Sequence, residues 1–264
     1  MGYRKYLFAF KVYFNANLQY RFNTMLNIIL WNLSIGALIL FYSTIYDGRQ
    51  EINNYSSSEM INFILIIKLI TLFMFQTVCY EVADTIKQGN LSKYLVMPQN
   101  YFLYLFFKTM STKIIELICG SILISILMLI LRVNLKVSFY NFIYVIIAVA
   151  IGTIISFQIG IIIGLLAFWL EEIFALIWTL MVVISLISGQ IIPIDFFPKN
   201  ISNILEYLPT ASIGYFPTKI IIGHYTIQEM NSYIIVFCGW IIVLTLVSML
   251  CWKMGLKKFS AVGT

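Results

Sequence analysis

The stretch Ser188–Gly223, SGQIIPIDFFPKNISNILEYLPTASIGYFPTKIIIG, decides how the rest of the chain is interpreted. It lies between two long apolar runs, yet it contains four of the chain's five prolines: Pro193, Pro198, Pro209 and Pro217. Proline removes a backbone donor and biases the preceding residue out of the helical region. The four prolines therefore predict a series of short pieces rather than one helix.

The same stretch is too apolar for a water-exposed loop. Ile201, Ile204 and Leu208 follow helical spacing, and the run Ile220–Ile222 closes the stretch. Broken, apolar backbone is tolerated at membrane depth only where protein or a water-filled cavity covers it. We therefore expect the segment 193–232 to form short helices that dip back into the outer leaflet and cap a pathway. The alternative is an interfacial loop that rests on the lipid surface.

Ser188-Gly189, followed by Pro193, Pro198 and Pro209 before a final apolar run, resembles the membrane subunits of type-2 ABC exporters. The ending LEYLPTASIGYFPTKIIIG is similar to their single-domain bacterial branch, and the resemblance extends over essentially the whole chain. It implies one transmembrane permease domain over residues 1–264, with Gly189 and the four prolines of this stretch in an outer gate.

The resemblance also implies partners. A second permease, identical or homologous, would complete the transporter, together with two copies of a cytoplasmic ABC ATPase subunit. ATP and Mg would bind that ATPase subunit, and no cofactor is expected in this chain. The substrate class implied is amphipathic or hydrophobic: a peptide, a toxin, a drug or a lipid-linked compound.

Composition points to the same class of protein. Of 264 residues, 61% are hydrophobic and 11% are charged, and the mean hydropathy is +0.93. Charged residues make up about 25% of ordinary soluble domains, so this chain is expected to be an all-α, polytopic membrane protein. The net charge of +6 is interpreted through topology rather than nucleic-acid binding, because no basic patch with base-stacking aromatics stands apart from the apolar runs.

Six apolar runs come close to the ~20 residues that span a bilayer. They are Thr24–Tyr46, Met60–Tyr80, Ile114–Leu131, Phe142–Trp169, Ile173–Ile192 and Tyr233–Trp252. Only Glu171-Glu172 and their immediate neighbours separate the fourth run from the fifth, which predicts a tight helical hairpin. Six transmembrane helices are therefore expected.

The N-terminal segment 1–23 is basic and rich in aromatics, which predicts an amphipathic helix in the interface plane. A helical period collects two opposite sides, Arg4, Lys11, Asn15 and Gln19 on one and Leu7, Phe10, Phe14 and Leu18 on the other. The alternative is a disordered basic tail.

Lysine and arginine counts predict the orientation, since cytoplasmic loops carry the excess. With the N-terminus inside, eleven of these residues are cytoplasmic, and five are outside: Arg49, Arg132, Lys136, Lys199 and Lys219. Both termini are therefore expected in the cytoplasm, and the resemblance implies the bacterial cytoplasmic membrane.

Small residues recur at every fourth position of the fourth run, at Gly152, Ser156, Gly160 and Gly164. Such a stripe lets another helix approach closely, which drives packing in lipid. It predicts a helix contact either within the subunit or at a seam between two permeases.

The segment 81–113 is too long for a turn and too apolar for a linker. Gly89 is suited to end one helix, Asn90 to cap the next and Pro98 to close it, which predicts a short helix over Leu91–Val96. The aromatic stretch Tyr101–Phe107 would then re-enter the interface. The alternative is an interfacial helix without a partner.

The sequence IKQGNLSKYLVMPQNY in this segment again resembles the type-2 ABC permeases, whose short helix docks into a groove of the ATPase subunit. By that resemblance the coupling element comprises Gly89, Asn90, Leu91, Ser92, Lys93, Tyr94 and Leu95. Leu91, Tyr94 and Leu95 would supply the apolar contact, with Lys93 at its rim.

Lys68 is the one charge deep inside an apolar run. A charge at that depth is costly, so it either lines a pathway or serves as a polar tie between helices, with Glu116 as a distant possible partner. His224, the only histidine, is expected to be a surface residue, and the four cysteines are expected to act as small hydrophobes. No metal site is predicted.

No phosphate-binding G-x-x-x-x-G-K-[ST] loop occurs, so this chain is not expected to be an enzyme or to hydrolyse ATP by that route. A membrane-embedded transferase would need acids, histidines or cysteines clustered at one membrane face. A non-transport scaffold or immunity protein would not need the coupling segment. The permease interpretation accounts for more of the sequence than either alternative.

Overall fold

The computed structural model describes residues 4–19, 21–48, 50–53, 55–75, 77–133 and 138–259. Of the residues named above, Arg49 and Lys136 lie outside these ranges. The backbone of Arg4, Leu18, Gln19 and Thr24 lies within them, but the side chains of these four residues are outside the described part of the structure. Apart from turns and connections, the described residues form helices and one two-stranded hairpin, which joins β1 (Glu51–Ile52) to β2 (Tyr55–Ser56).

The α-helices follow one another in the order α1 (Arg4–Gln19), α2 (Arg21–Ile45), α3 (Ser57–Thr71), α4 (Val78–Lys87), α5 (Leu91–Val96), α6 (Tyr101–Ile130), α7 (Phe139–Leu165), α8 (Ile173–Ile187), α9 (Lys199–Tyr207), α10 (Tyr215–Ile222) and α11 (Ile227–Lys258). Short 3-10 turns occupy Leu166–Phe168, Ile194–Phe196 and Pro209–Ile213.

Three of the described helices are long and apolar enough to cross a membrane: α6, α7 with its following turn, and α11. A 30-residue helix is ~45 Å long, which exceeds the ~30 Å hydrocarbon core of a bilayer. Shorter apolar helices occupy Leu33–Ile45 and α8. The expected all-α membrane fold is thus confirmed. Of the other three predicted spans, the first lies in α2, a helix of 25 residues, the second is interrupted, and the fifth is the 15-residue α8.

The predicted second span, Met60–Tyr80, is not one helix. α3 ends at Thr71 and α4 begins at Val78. The break between them is supported from α7, because the backbone N–H of Phe75 donates to Ser156 Oγ at 3.1 Å. The prediction of one continuous helix is wrong because the break carries apolar residues and leaves no mark in hydropathy.

The third span also differs from the prediction. Its apolar run is the second half of α6, which begins at Tyr101 because Asn100 Oδ1 caps it by accepting from the N–H of Leu103. The aromatic stretch Tyr101–Phe107 is therefore the start of a long helix rather than a separate interfacial segment.

Helix α7 lies at the centre of the fold, and its small-residue stripe faces elements of the same chain. A Cβ added at Gly152 would lie 2.3 Å from the carbonyl oxygen of Ser212, and one at Gly164 would lie 2.6 Å from Val82 Cβ. A Cβ at Gly160 would lie 3.1 Å from Val78 Cβ. α4 thus packs against one part of the stripe, and the turn Pro209–Ile213 packs against another part. Of the two predicted uses of the stripe, this is the helix contact within the subunit.

The bundle has two distinct ends. At one end, the hydroxyl of Tyr233 near the start of α11 donates to Glu206 of α9. Glu206 belongs to a polar cluster, described below, that also contains Tyr55 of the β1–β2 hairpin. Trp252 near the end of α11 stacks on Tyr101 at the start of α6, with ring centroids 5.5 Å apart. Nineteen residues of helix separate the two positions, ~28 Å. We name these the hairpin end and the α5 end.

Candidate functional site

At the α5 end, the short helix α5 begins and ends at the predicted residues, Leu91 and Val96. Gly89 adopts φ 71°, the left-handed conformation that ends a helix, directly after α4. Asn90 does not cap α5 as expected. Its backbone is itself helical, and its side-chain amide donates to Gln88 Oε1 at 2.9 Å.

The side chains of α5 divide into an anchor and an exposed tip. Leu91 is fully buried in the chain's own core, and Tyr94 packs on the rings of Tyr101 and Tyr104, with centroids 5.5 and 5.2 Å apart. Ser92 and Lys93 are exposed. The prediction that Leu91 offers an apolar contact to a partner is therefore wrong, because the chain itself already surrounds that side chain.

The exposed tip consists of Leu95, Val96 and Met97, which are 46%, 86% and 37% exposed. Pro98 follows directly and is exposed as well. Of the three predicted contact residues, Leu95 belongs to this surface, which continues past it to Val96, Met97 and Pro98. We call these four residues the α5 tip.

Helix α1 lies against this region. The Asn100 N–H donates to Tyr6 Oη at 3.1 Å, Asn17 Nδ2 donates to Thr112 Oγ1 at 2.9 Å, and the Lys5 ammonium donates to the Pro98 carbonyl. α1 therefore runs alongside the first turns of α6 and touches the α5 tip.

The face of α1 that packs on α6 includes Tyr6 and Ala9, which are buried, whereas Leu7 and Phe8 remain exposed. This packing face is neither of the two sides predicted from the helical period. Tyr6 carries a hydroxyl at one end of an apolar ring, so a two-class hydrophobic pattern does not identify it as the contact.

Two ion pairs lie on α6 near this end. Lys108 Nζ lies 2.6 Å from Glu81 Oε2 of α4, and Lys113 Nζ lies 2.9 Å from Glu116 Oε2. Glu116 pairs with Lys113, and no oxygen of Glu116 lies within 4.0 Å of Lys68 Nζ, so the suggested pairing with Lys68 is wrong.

At the hairpin end, the four prolines shape the stretch that the sequence singled out. Pro193 and Pro198 directly precede the turn Ile194–Phe196 and α9, and Pro209 is the first residue of the turn Pro209–Ile213. Pro217 lies inside α10 without interrupting it. Three of the four thus begin a new short element, as proline's missing N–H favours.

Most of this stretch is buried. The residues from Thr210 to Ser212, together with nearly all of α10, have little or no exposed surface, and Gly189 (φ 78°) allows the chain to pass close to Tyr215. Only α9 presents apolar side chains outward, at Ile201 and Ile204. A loop resting on the lipid surface does not fit the buried turn or α10.

A buried polar cluster holds this stretch in place. Asp195 accepts hydrogen bonds from the hydroxyls of Tyr55 and Tyr215, both at 2.6 Å, and from the Lys219 ammonium at 2.8 Å. Tyr215 also donates to Glu206 at 3.3 Å. We call these five residues the Asp195 cluster.

Electrostatics stabilise the charged form of Asp195. Burial by itself raises the pKa of the carboxyl, but the Lys219 charge and the hydrogen bonds from Lys219, Tyr215 and Tyr55 outweigh it, so the pKa lies below its ordinary value. Asp195 is therefore a carboxylate at neutral pH.

Two further contacts extend the cluster. The Tyr233 hydroxyl of α11 donates to Glu206 at 2.8 Å, and His224 Nδ1 lies 3.2 Å from Lys219 Nζ while its ring stacks on Tyr55. His224 is exposed, as expected, but Lys219 is buried, although the topology count treated it as a loop charge. No sequence pattern predicts the Asp195 cluster, because its members lie on separate elements up to 164 residues apart.

Between the two ends, a cavity of about 210 Å³ lies beside the α3–α4 break. Its lining has no charged side chain and includes Phe75, Ser156, Met181, Ser185 and Gln190. An uncharged cavity with scattered hydroxyl and amide groups suits an apolar or amphipathic group.

Lys68 lies in α3 and is partly buried. Among the described residues, its ammonium has no hydrogen-bond or ion-pair partner. The described residues also hold no group of three or more metal-binding side chains.

The family model described as "ABC-2 family transporter protein" matches residues 32–263 of this chain. The match includes α5, the Asp195 cluster and the whole stretch Ser188–Gly223. No curated protein matches the chain.

Proposed function

The chain belongs to the ABC-2 transporter family, and we propose that it is the transmembrane subunit of an ATP-driven exporter in a bacterial cytoplasmic membrane. It would move an amphipathic or hydrophobic substrate outward. The chain itself performs no catalysis in this proposal. ATP and Mg bind two copies of a separate cytoplasmic ATPase, and a second permease, identical or homologous, completes the pathway.

The observation that carries this proposal is the α5 tip. Four consecutive residues leave an apolar surface open at the α5 end, while Leu91 and Tyr94 fix the helix beneath it. A short helix so anchored is a rigid projection, which suits insertion into a groove of a partner. The contact from Lys5 to Pro98 adds α1 to the same surface, so both elements would move with the ATPase.

In this proposal the α5 end is cytoplasmic and the hairpin end is outside, with six crossings contributed by α2, α3 with α4, α6, α7, α8 and α11. The stretch Ser188–Gly223, with Gly189 and its prolines, serves as the outer gate. The cavity beside the α3–α4 break supports counting α3 with α4 as one crossing, because interrupted helices at membrane depth are tolerated where they line a cavity.

The test is association with the cognate ATPase subunit of the proposed transporter. We expect Leu95→Ser with Val96→Ser to weaken retention of the ATPase by roughly two to three decades, since each interface anchor costs on the order of 2 kcal/mol and ~1.4 kcal/mol is tenfold. Lys93→Ala, on the same helix, serves as the matched control and should have much less effect.

The measurement is a pull-down from membranes, with membrane abundance quantified in the same cells. Normal abundance together with normal ATPase retention in the double variant would contradict the docking assignment. Robust ATP hydrolysis by the purified chain alone would contradict the permease assignment itself.

A further inference from the structure

Lys68 lies where a charge is most costly. It follows the first residue of α3 by eleven positions, ~16 Å along the helix. Its same-face neighbours Ile64, Leu65, Thr71 and Leu72 are all 6% exposed or less. The side of α3 that carries Lys68 therefore faces the protein rather than lipid. The Lys68 side chain has no path along a lipid-facing surface by which its ammonium could extend to the headgroups.

No acid of the chain neutralises this charge. All eleven acidic side chains belong to the described residues, and none lies within 4.0 Å of Lys68 Nζ. Glu81, Glu116 and Asp195 pair with other lysines. Glu59 and Glu229 cap the starts of α3 and α11, Glu206 accepts from tyrosines, and Asp84 accepts from Gln88.

The remaining four acids, Asp47, Glu51, Glu171 and Glu172, are exposed in the connections at the ends of the bundle. Buried ammonium groups in membrane helices almost always pair with an opposite charge or face a polar cavity. Since this chain supplies no acid, any counter-charge for Lys68 would come from another molecule.

We propose that Lys68 binds the anionic group, a carboxylate or a phosphate, of the molecule that the transporter moves. This inference rests on the proposed function and names its substrate class: an amphipathic compound with a negative charge. A lysine ammonium is a compact point charge with three donors, which suits either anion. The interaction is strong at this depth because little water screens it.

The test uses the full-length chain in nanodiscs of neutral phosphatidylcholine, with two probes of equal chain length, dodecanoate and dodecanol. We expect dodecanoate, at about 100 times its dissociation constant, to raise the thermal unfolding midpoint by roughly 3 °C or more, and dodecanol to raise it much less. Lys68→Met should lose the extra effect of the anion, and Lys68→Arg should keep it.

Lys199→Met is the matched control, because it removes the same charge from an exposed position on α9. It should behave as the wild type does. An equal response to dodecanoate in Lys68→Met would overturn the proposal.

Folding of the variant gives a second, independent readout. If Lys68 is an unpaired charge kept for a ligand, Lys68→Met without any probe should unfold at the wild-type midpoint or higher, because an uncompensated charge is removed. A midpoint lowered by more than about 5 °C, or failure to fold, would identify Lys68 as a structural tie and overturn the proposal.

A further arm distinguishes the sources of the anion. If phosphatidylglycerol in the nanodiscs stabilises the protein through Lys68 and dodecanoate does not, the site holds a lipid headgroup and the substrate assignment is wrong. The ATPase pull-down is independent of this result. Loss of ATPase binding contradicts the exporter, whereas loss of the Lys68 effect contradicts only the anionic substrate.

Discussion

The ammonium of Lys219 lies 2.8 Å from a carboxylate oxygen of Asp195, and this ion pair joins α10 to the turn that follows Pro193. Lys219 is nearly buried, while Asp195 keeps about a quarter of its side chain exposed. Tyr55 adds the β1–β2 hairpin to the same carboxylate. One acid thus fixes three segments that are distant in sequence, at the mouth of the proposed gate.

Replacing that acid should loosen the hairpin end. Asp195→Asn leaves the Lys219 ammonium buried without a counter-ion, and we expect a loss of about 2–3 kcal/mol, below the full cost of breaking a deeply buried pair because Asp195 is partly exposed. The midpoint of thermal unfolding in detergent should fall by at least ~4 °C. Asp47→Asn, an exposed acid near the same end, should change it little. Equal midpoints for the two variants would show that the ion pair contributes nothing.

The pH dependence should come from His224 rather than from Asp195. Partial burial and the Lys219 charge lower the pKa of His224 below its ordinary value of ~6.5. As the pH falls, His224 therefore becomes protonated near pH 6.5 in the unfolded chain, but only at a lower pH in the folded chain. Stability is fully present above that value and is lost as the pH falls through the folded pKa. Asp195, with its lowered pKa, stays ionised throughout this window.

We therefore expect the unfolding midpoint to decrease as the pH is lowered from about 7.5 to 5.5, and to decrease less in His224→Asn. His224 is the only histidine of the sequence, so with an affinity tag free of histidine the difference isolates this side chain. Parallel curves for the two proteins would refute the assignment.

The small-residue stripe of α7 gives a matched pair of glycine substitutions. Gly152→Ala places a Cβ 2.3 Å from the Ser212 carbonyl oxygen, which forces the turn Pro209–Ile213 away from α7 and should cost about 1–3 kcal/mol. Gly239→Ala in α11 meets no atom of the described chain within 4 Å and should be neutral or stabilising by up to ~1 kcal/mol. Unfolding midpoints in detergent measure both.

A reversed ranking of these two variants would mean that the stripe does not pack as described. A large loss in Gly239→Ala alone would point instead to a close contact between α11 and another chain.

Orientation is tested by cysteine labelling in a variant that lacks the four native cysteines. Positions Asn53, Gln88, Asn203 and Lys257 are exposed. We expect new cysteines at Asn53 and Asn203 to react with a membrane-impermeant maleimide in intact cells. Those at Gln88 and Lys257 should react only after permeabilisation. Labelling of Gln88 from outside would reverse the topology and remove α5 from the side where an ATPase acts.

Local chemistry determined much of this fold. The hydropathy of the chain fixed an all-α membrane protein, because apolar helices satisfy their own backbone in lipid. Gly89 and Pro98 determined the bounds of α5, and Pro193, Pro198 and Pro209 determined where three of the pieces at the hairpin end begin, since both residue types act through their own backbone geometry.

Tertiary structure decided the rest. Which side of α5 is exposed depends on what lies beneath it, so Leu91 became core and Val96 became surface. The interruption between α3 and α4 depends on a hydroxyl of Ser156 more than 80 residues away in the chain. The Asp195 cluster has no sequence pattern because its members meet only when distant segments pack together. Whether a side chain is buried or paired depends on the residues that lie next to it in space. A run of similar apolar residues in the sequence does not specify which residues those are.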